Sequence, residues 1–171
     1  LRQGLAVKTV ETRGMAQRGG PVCAHVRLSD SVVHSAVIPV GKVDLILAIE
    51  PVEGLRYLHA LRHKGHLLAN VEPFDVLGES LDRDQVMDDL RLAPHCTLLS
   101  ASSIAREAGS PRSTNVVMLG AAATQLPMDI CHFEEALRAR FKAKGDAVTA
   151  SALAAFHAGF GVCGGDEPPI P

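Results

Sequence analysis

Val43-Asp44-Leu45-Ile46-Leu47-Ala48-Ile49 is a nearly continuous aliphatic run, closed by Glu50-Pro51. That pattern marks a central strand covered on both faces, as in the parallel sheets of α/β proteins. The period then changes. From Val52 to Lys64, Leu55, Leu58, Ala60 and Leu61 fall on one helical face, Gly65 is a stop signal, and His66–Val71 (HLLANV) reads as the next strand. Strand, helix and strand together have the size of a right-handed βαβ unit, about 30 residues.

Towards the N-terminus, Leu5–Thr12 is a short β-rich run. Arg13–Pro21 is a loop with Gly14, Gly19 and Gly20, and Val22–Ser29 alternates as a strand should. Asp30-Ser31 predicts a tight turn that returns Val32–Ile38 as the second arm of an antiparallel hairpin at about 22–38. The fold class is therefore α/β with a mixed, mostly parallel sheet. Towards the C-terminus come a polar helix over Leu81–Ala93, a strand over His95–Ser100, and a short helix over Ala101–Ala108 closed by Gly109-Ser110-Pro111. Next is a small-residue helix over Val116–Leu126, capped by Thr114 or Asn115, then helices at about 131–144 and 146–158. Residues 1–158 are expected to form one domain and 159–171, rich in glycine and proline, a flexible tail. Leu1 is not Met, and Leu1–Gly4 reads like the end of a helix, so an upstream segment is expected to be missing.

Composition narrows the function. A chain of 171 residues with 47% hydrophobic and 21% charged residues is not disordered. With 17 Lys+Arg against 19 Asp+Glu it has no basic field for a phosphate backbone, and 4% aromatics with no Trp leave no stacking platform, so nucleic acid is not an expected partner. No apolar run approaches the roughly 18 residues of a membrane span. Cys23, Cys96, Cys131 and Cys163 lack the clustered spacing of a zinc or iron–sulfur ligand set. They read as reduced, mostly buried hydrophobes of a cytoplasmic protein, and no metal ligands are assigned.

Catalytic patterns are equally sparse, and no catalytic residue is assigned. G-x-S-x-G is absent. His59 and His63 at i,i+4 would suit a metal pair on one helix face, but without the H-E-x-x-H glutamate a cation-rich helix end is the favoured reading. Asp88-Asp89 and Glu134-Glu135 are adjacent and cannot face each other on a helix, so they are solvated faces. Gly14-Met15-Ala16-Gln17-Arg18-Gly19-Gly20 lies between two strands and so fails the strand–helix context of a phosphate loop. It reads either as a recognition loop for an anionic ligand or a partner subunit, or as a sharp reversal with a solvated arginine. Glu50 stands at the C-terminal edge of the aliphatic strand, where open α/β sheets bind ligands, but Pro51 starting a helix explains the pair as simply.

The run Glu11–Gly20 (ETRGMAQRGG), followed by His25-Val26-Arg27 and Ser35, resembles the gamma domain of the 2-oxoacid:ferredoxin oxidoreductases, and within it the beta subunits of the indolepyruvate branch. Ile38-Pro39 with Gly41 and Asp44 agrees, as do Glu50–Glu53 with Leu55–Leu58, Ala105–Gly109 and Asn115–Gly120. The resemblance covers about residues 5–158 and implies a three-layer α/β fold. The first strand and glycine loop of that family would precede Leu1. It further implies an accessory subunit, inactive alone, of an enzyme that converts indolepyruvate or other aryl pyruvates with coenzyme A to arylacetyl-CoA and CO2. Electrons pass to ferredoxin. Thiamine diphosphate and iron–sulfur clusters would sit on the partner alpha subunit, since this chain has neither a G-D-G motif nor clustered cysteines. Gly14, Met15, Gln17, Arg18, Gly19, Gly20, Glu50 and Asn115 would face that partner or its cleft. The alternatives are a gamma subunit acting on pyruvate, 2-oxoglutarate or 2-oxoisovalerate, or a stand-alone nucleotide- or acyl-CoA-binding module. The small residues of Val116–Ala123 are further expected to form an uncovered face through which the isolated chain self-associates.

Overall fold

β3 (Val43–Ala48), β4 (Leu61–Asn70) and β5 (His95–Leu99) pair side by side in that order, both pairs parallel. The computed structural model describes residues 4–13, 22–72 and 82–164. β4 is the middle strand, and every residue from Gly65 to Asn70 is buried. Its side chains alternate between two cores, as the two-residue period of a strand requires. Leu67 and Ala69 pack with Ala48, Val86, Met87 and Leu90 beneath α1 (Pro51–Tyr57) and α2 (Arg83–Leu90). Leu68 faces the opposite way, onto Leu99, Val117, Met118 and Phe156. That second layer holds α3 (Ala101–Glu107), α4 (Thr114–Ala123), α5 (Ile130–Phe141) and α6 (Asp146–Cys163). The result is the expected three layers. Fully burying Leu67 and Leu68 contributes roughly 1.5–3 kcal/mol each.

The helix after β3 is shorter than its apolar spacing suggests. α1 ends at Tyr57, a single 3-10 turn follows over Leu58–Ala60, and β4 begins at Leu61. Parallel pairing overrides the helical period here. Leu61 partners Val43 and His66 partners Leu45, so a bulge fills the interval, and Arg62 pairs with Asp44 at 2.7 Å. A Cβ on Gly65 would lie 2.8 Å from the Val43 carbonyl oxygen, so only glycine passes. His59 is therefore on the 3-10 turn and His63 on a strand, and the two share no helix face.

The antiparallel hairpin exists, but its arms are β1 (Ala6–Arg13) and β2 (Val22–Ser29), paired from Ala6↔Ser29 to Arg13↔Val22. It forms its own two-stranded sheet rather than an edge of the parallel one. Val32–Ile38, expected as the second arm, is not a strand. Side chains satisfy its backbone instead. Lys8 Nζ donates to the His34 carbonyl, Arg27 Nη1 donates to the Ser35 and Val37 carbonyls, and the Ile38 N–H donates to His25 Nδ1 at 3.0 Å.

α4 and α6 approach until backbone touches backbone. A Cβ on Gly120 would lie 2.0 Å from the Phe156 carbonyl oxygen, and one on Gly159 would lie 2.0 Å from that of Val117. The small residues Gly120–Ala123 are buried by this contact within the chain, so they do not form the uncovered face expected of them. The same contact carries α6 to Cys163, past the start of the expected tail at 159. α6 reaches the length and mean hydropathy of a membrane span, 18 residues at 1.2, yet its Ala152, Leu153, Ala155, Phe156 and Gly159 stripe is buried in the fold. α3 closes as its glycine predicts. Gly109, at φ 71°, donates to Arg106 and Ser110 donates to Ala105, the paired bonds of a Schellman cap.

Gly159→Val forces a branched side chain into backbone and should cost at least the upper end of overpacking penalties, about 3 kcal/mol. Tm should then fall by roughly 6–12 °C. Gly161→Ala is the control, because nothing lies within 4 Å of a Cβ there. It should hold or raise Tm through helix propensity alone. Thermal denaturation of the two variants beside wild type checks both.

Candidate functional site

The C-terminal ends of β3, β4 and β5 lead into Ile49-Glu50, Val71 and Ser100. Open parallel sheets bind ligands at this edge because the chain leaves it as loops and helix N-termini. One buried polar side chain organises it. Asn70, at 0% exposure, donates from Nδ2 to the Ile49 carbonyl at 3.1 Å and accepts at Oδ1 from the Ala101 N–H at 3.0 Å. It thus ties the end of β3 and the first turn of α3 to the end of β4. A polar residue closing the apolar run HLLAN is the signal that sequence reading left unused.

Glu50 stands at this edge as the N-cap position of α1, exposed, with its side chain making no cap hydrogen bond and Pro51 at the first helical turn. Its carbonyl accepts from Gly54 N–H at 3.1 Å. Gly54 is required there, since a Cβ would meet that of Ala48 at 2.9 Å. Asn115 is exposed on the first turn of α4, in the layer across the sheet from α1. Ser113, rather than Thr114 or Asn115, occupies the cap position of α4. Glu50 and Asn115 therefore belong to different layers. A groove beside β4 and β5 is lined by Val71, Leu98, Ser100 and the α2 residues Arg83, Asp84 and Asp88. Its acidic and basic groups are mixed, and Arg91, also on the wall, is held by Asp88 at 2.6 Å.

Gly14, Met15, Gln17, Arg18, Gly19 and Gly20 lie outside the described residues. The base of their loop is the Arg13↔Val22 pair of the β1–β2 hairpin. Burial first, then the nearby Cys23 thiol of that hairpin, raises the phenol of Tyr57 on α1 above its ordinary value. Cys23 sits one residue along β2 from the Arg13↔Val22 pair, and Glu50 and Tyr57 stand at opposite ends of α1.

The cysteines do not suit an iron–sulfur cluster. Cys23, Cys96, Cys131 and Cys163 lie on β2, β5, α5 and α6, and none pairs with another. Three are half-buried rather than buried, and Cys131 is exposed. Burial raises the thiol pKa of Cys96 and Cys163, which keeps them protonated and unreactive near neutral pH. Dithionitrobenzoate at pH 8 should therefore modify Cys131 well before Cys96 and Cys163, which should react at full rate only on unfolding; peptide mapping of the labelled chain resolves the order. A second expectation concerns Asn70. Asn70→Ala orphans a buried N–H and weakens a carbonyl contact, each worth about 1–3 kcal/mol. Urea unfolding should show a loss of roughly 2–4 kcal/mol, within that range for two groups.

Comparison with known proteins agrees with this geometry. Residues 1–162 match the pyruvate ferredoxin/flavodoxin oxidoreductase family. The chain is 39% identical over 153 residues to indolepyruvate oxidoreductase subunit IorB of Archaeoglobus fulgidus, covering 84% of this chain and 75% of that protein. It is 34% identical over 148 residues to the subunit of the same name from Pyrococcus horikoshii, covering 81% and 73%. The fold superposes on 2-oxoglutarate:ferredoxin oxidoreductase from Magnetococcus marinus with a TM-score of 0.76 at 21% identity, over 99% of this chain and 28% of that one. It superposes on pyruvate oxidoreductase subunit PORC from Thermotoga maritima with a TM-score of 0.69 at 20% identity, over 94% and 81%. With nearly its whole length matched and its three-layer fold shared, this chain belongs to the pyruvate ferredoxin/flavodoxin oxidoreductase family.

Proposed function

We propose that the chain is the accessory, beta-type subunit of an indolepyruvate:ferredoxin oxidoreductase. The observation that carries this reading is the 39% identity over 153 residues to an indolepyruvate oxidoreductase subunit. The Gly14–Gly20 wording, typical of the same branch, supports it. The reaction is an oxidative decarboxylation: an aryl pyruvate loses CO2, two electrons leave for ferredoxin, and the acyl group becomes a thioester of coenzyme A. Thiamine diphosphate, which stabilises the carbanion left by CO2, and the clusters belong to the alpha subunit in this proposal. The scattered cysteines and the missing G-D-G motif support that division.

The role proposed for this chain is to pack against the alpha subunit in the cytoplasm and shape or cover its active-site cleft. Glu50 and the 14–20 loop offer that contact. Asn70 holds the Glu50 end of α1 in place. Arg18 has the chemistry for the loop's anionic partner, because a guanidinium pairs in a bidentate fork with a carboxylate or phosphate, which Lys cannot copy. Gly19 and Gly20 remove side chains that would crowd such a partner.

The isolated chain should turn over no indolepyruvate, and addition of the alpha subunit should restore coenzyme A-dependent ferredoxin reduction. Turnover by the chain alone would overturn the proposal. In the reconstituted enzyme Arg18→Ala should weaken alpha-subunit affinity or kcat/KM by the equivalent of about 2–5 kcal/mol, as for a truncated buried charge pair. Arg18→Lys should rescue only part of this, and Tm of the isolated chain should stay unchanged. Unchanged affinity and turnover in both variants would make the loop a simple turn.

A further inference from the structure

The first turn of α5 gathers three different metal-ligating side chains. Asp129 is the N-cap position, and Cys131 and His132 follow within the turn, the His132 N–H donating to the Asp129 carbonyl at 3.1 Å. One ligand atom from each lies within 4.8 Å of the other two. His132 Nδ1 is buried, yet among the described residues it has no hydrogen-bond partner. A buried ring nitrogen without a partner loses its hydration for no return, and such a group in a native fold calls for an explanation such as an ion.

We propose that Asp129, Cys131 and His132 bind one zinc ion, with a fourth position open to water or an external ligand. The donor set selects the metal. A thiolate and an imidazole favour zinc over the hard cations magnesium and calcium, which take oxygen ligands. Tetrahedral zinc at its usual bond lengths separates nitrogen and sulfur ligands by roughly 3.5 Å. The ligand atoms, all within 4.8 Å of one another, close to that by about an ångström of side-chain rotation, for which Cys131 is exposed enough. Charge is balanced as well. The positive end of a helix repels a bare cation, but a zinc-bound thiolate and carboxylate together neutralise Zn2+. Cysteine spacing gives no hint of this site, because its partners are a histidine and an aspartate on the same turn. It lies on α5, in the layer across the sheet from α1 and Glu50, and does not depend on the proposed enzymatic role.

The test uses the full chain without a histidine tag. Calorimetric titration with ZnCl2 should show one equivalent bound with proton release, since a thiol must ionise. Co2+ in place of zinc should give a thiolate-to-metal charge-transfer band. Cys131→Ser, His132→Ala and Asp129→Asn should each weaken zinc binding by at least about tenfold, while melting without metal shows the Cys131→Ser chain still folded. Zinc should also protect Cys131 from alkylation. No stoichiometric binding, a Co2+ complex without the thiolate band, or undiminished affinity in any of the three variants would overturn the proposal.

Discussion

Two glycines facing each other across a helix pair are the constraint on which the rest of this fold leans. Gly120 and Gly159 let α4 and α6 meet backbone to backbone, at a separation no side chain could share. That closeness places Val117, Met118 and Phe156 together at zero exposure beneath the sheet, where they receive Leu68 from the central strand. Phe156 in turn stacks on Phe133 at 5.8 Å, which seats α5 against the pair. His157, the next residue, reaches Glu134 at 3.2 Å from the outer side of the same junction. One close approach thus orders a whole layer, and the parallel sheet has a flat apolar floor to lie on.

The sheet's other face is simpler, and its upper edge is where the fold turns towards function. α1 and α2 cover Leu67 and Ala69 with aliphatic side chains and leave the C-terminal strand ends open. Asn70 then does for the edge what the glycines do for the floor. Its single amide satisfies a carbonyl after β3 and an N–H at the start of α3, so three segments that diverge into loops share one buried fixing point. A buried amide with both ends paired is stiff, which suits this edge to the docking role proposed for it.

Much of the family wording turns out to serve the fold. Pro51 starts α1, Gly109 closes α3 in the left-handed region and Gly120 seats α6. His25, also part of that wording, straps the segment after β2 to the hairpin by accepting from the Ile38 N–H, and Ser35 Oγ accepts from the Val37 N–H within that segment. Glu50, Asn115 and the residues of the 14–20 loop remain as the exposed or unassigned positions, and those are the ones with chemistry to spare for a partner.

The α/β class, the three parallel strands and the helix order were legible in the chain because burial on both faces writes continuous aliphatic runs such as VDLILAI and HLLAN, and stop signals such as Gly109 act locally. Glu50 at a strand end was legible for the same reason. Three things were not. The hairpin partner of Val22–Ser29 could be Ala6–Arg13 or Val32–Ile38, since both are β-rich; the β1–β2 ladder takes the first, and side-chain bonds given by Lys8 and Arg27 and accepted by His25 hold the second as a loop. The end of α1 at Tyr57 was hidden because Leu58 and Leu61 fit a helical stripe as well as a buried strand start, and pairing with Val43 settled it. The role of the small residues in α4 depended on whether a partner lay inside or outside the chain, and close packing by Gly159, about 40 residues away by count, is a non-local contact whose pairing no local pattern encodes.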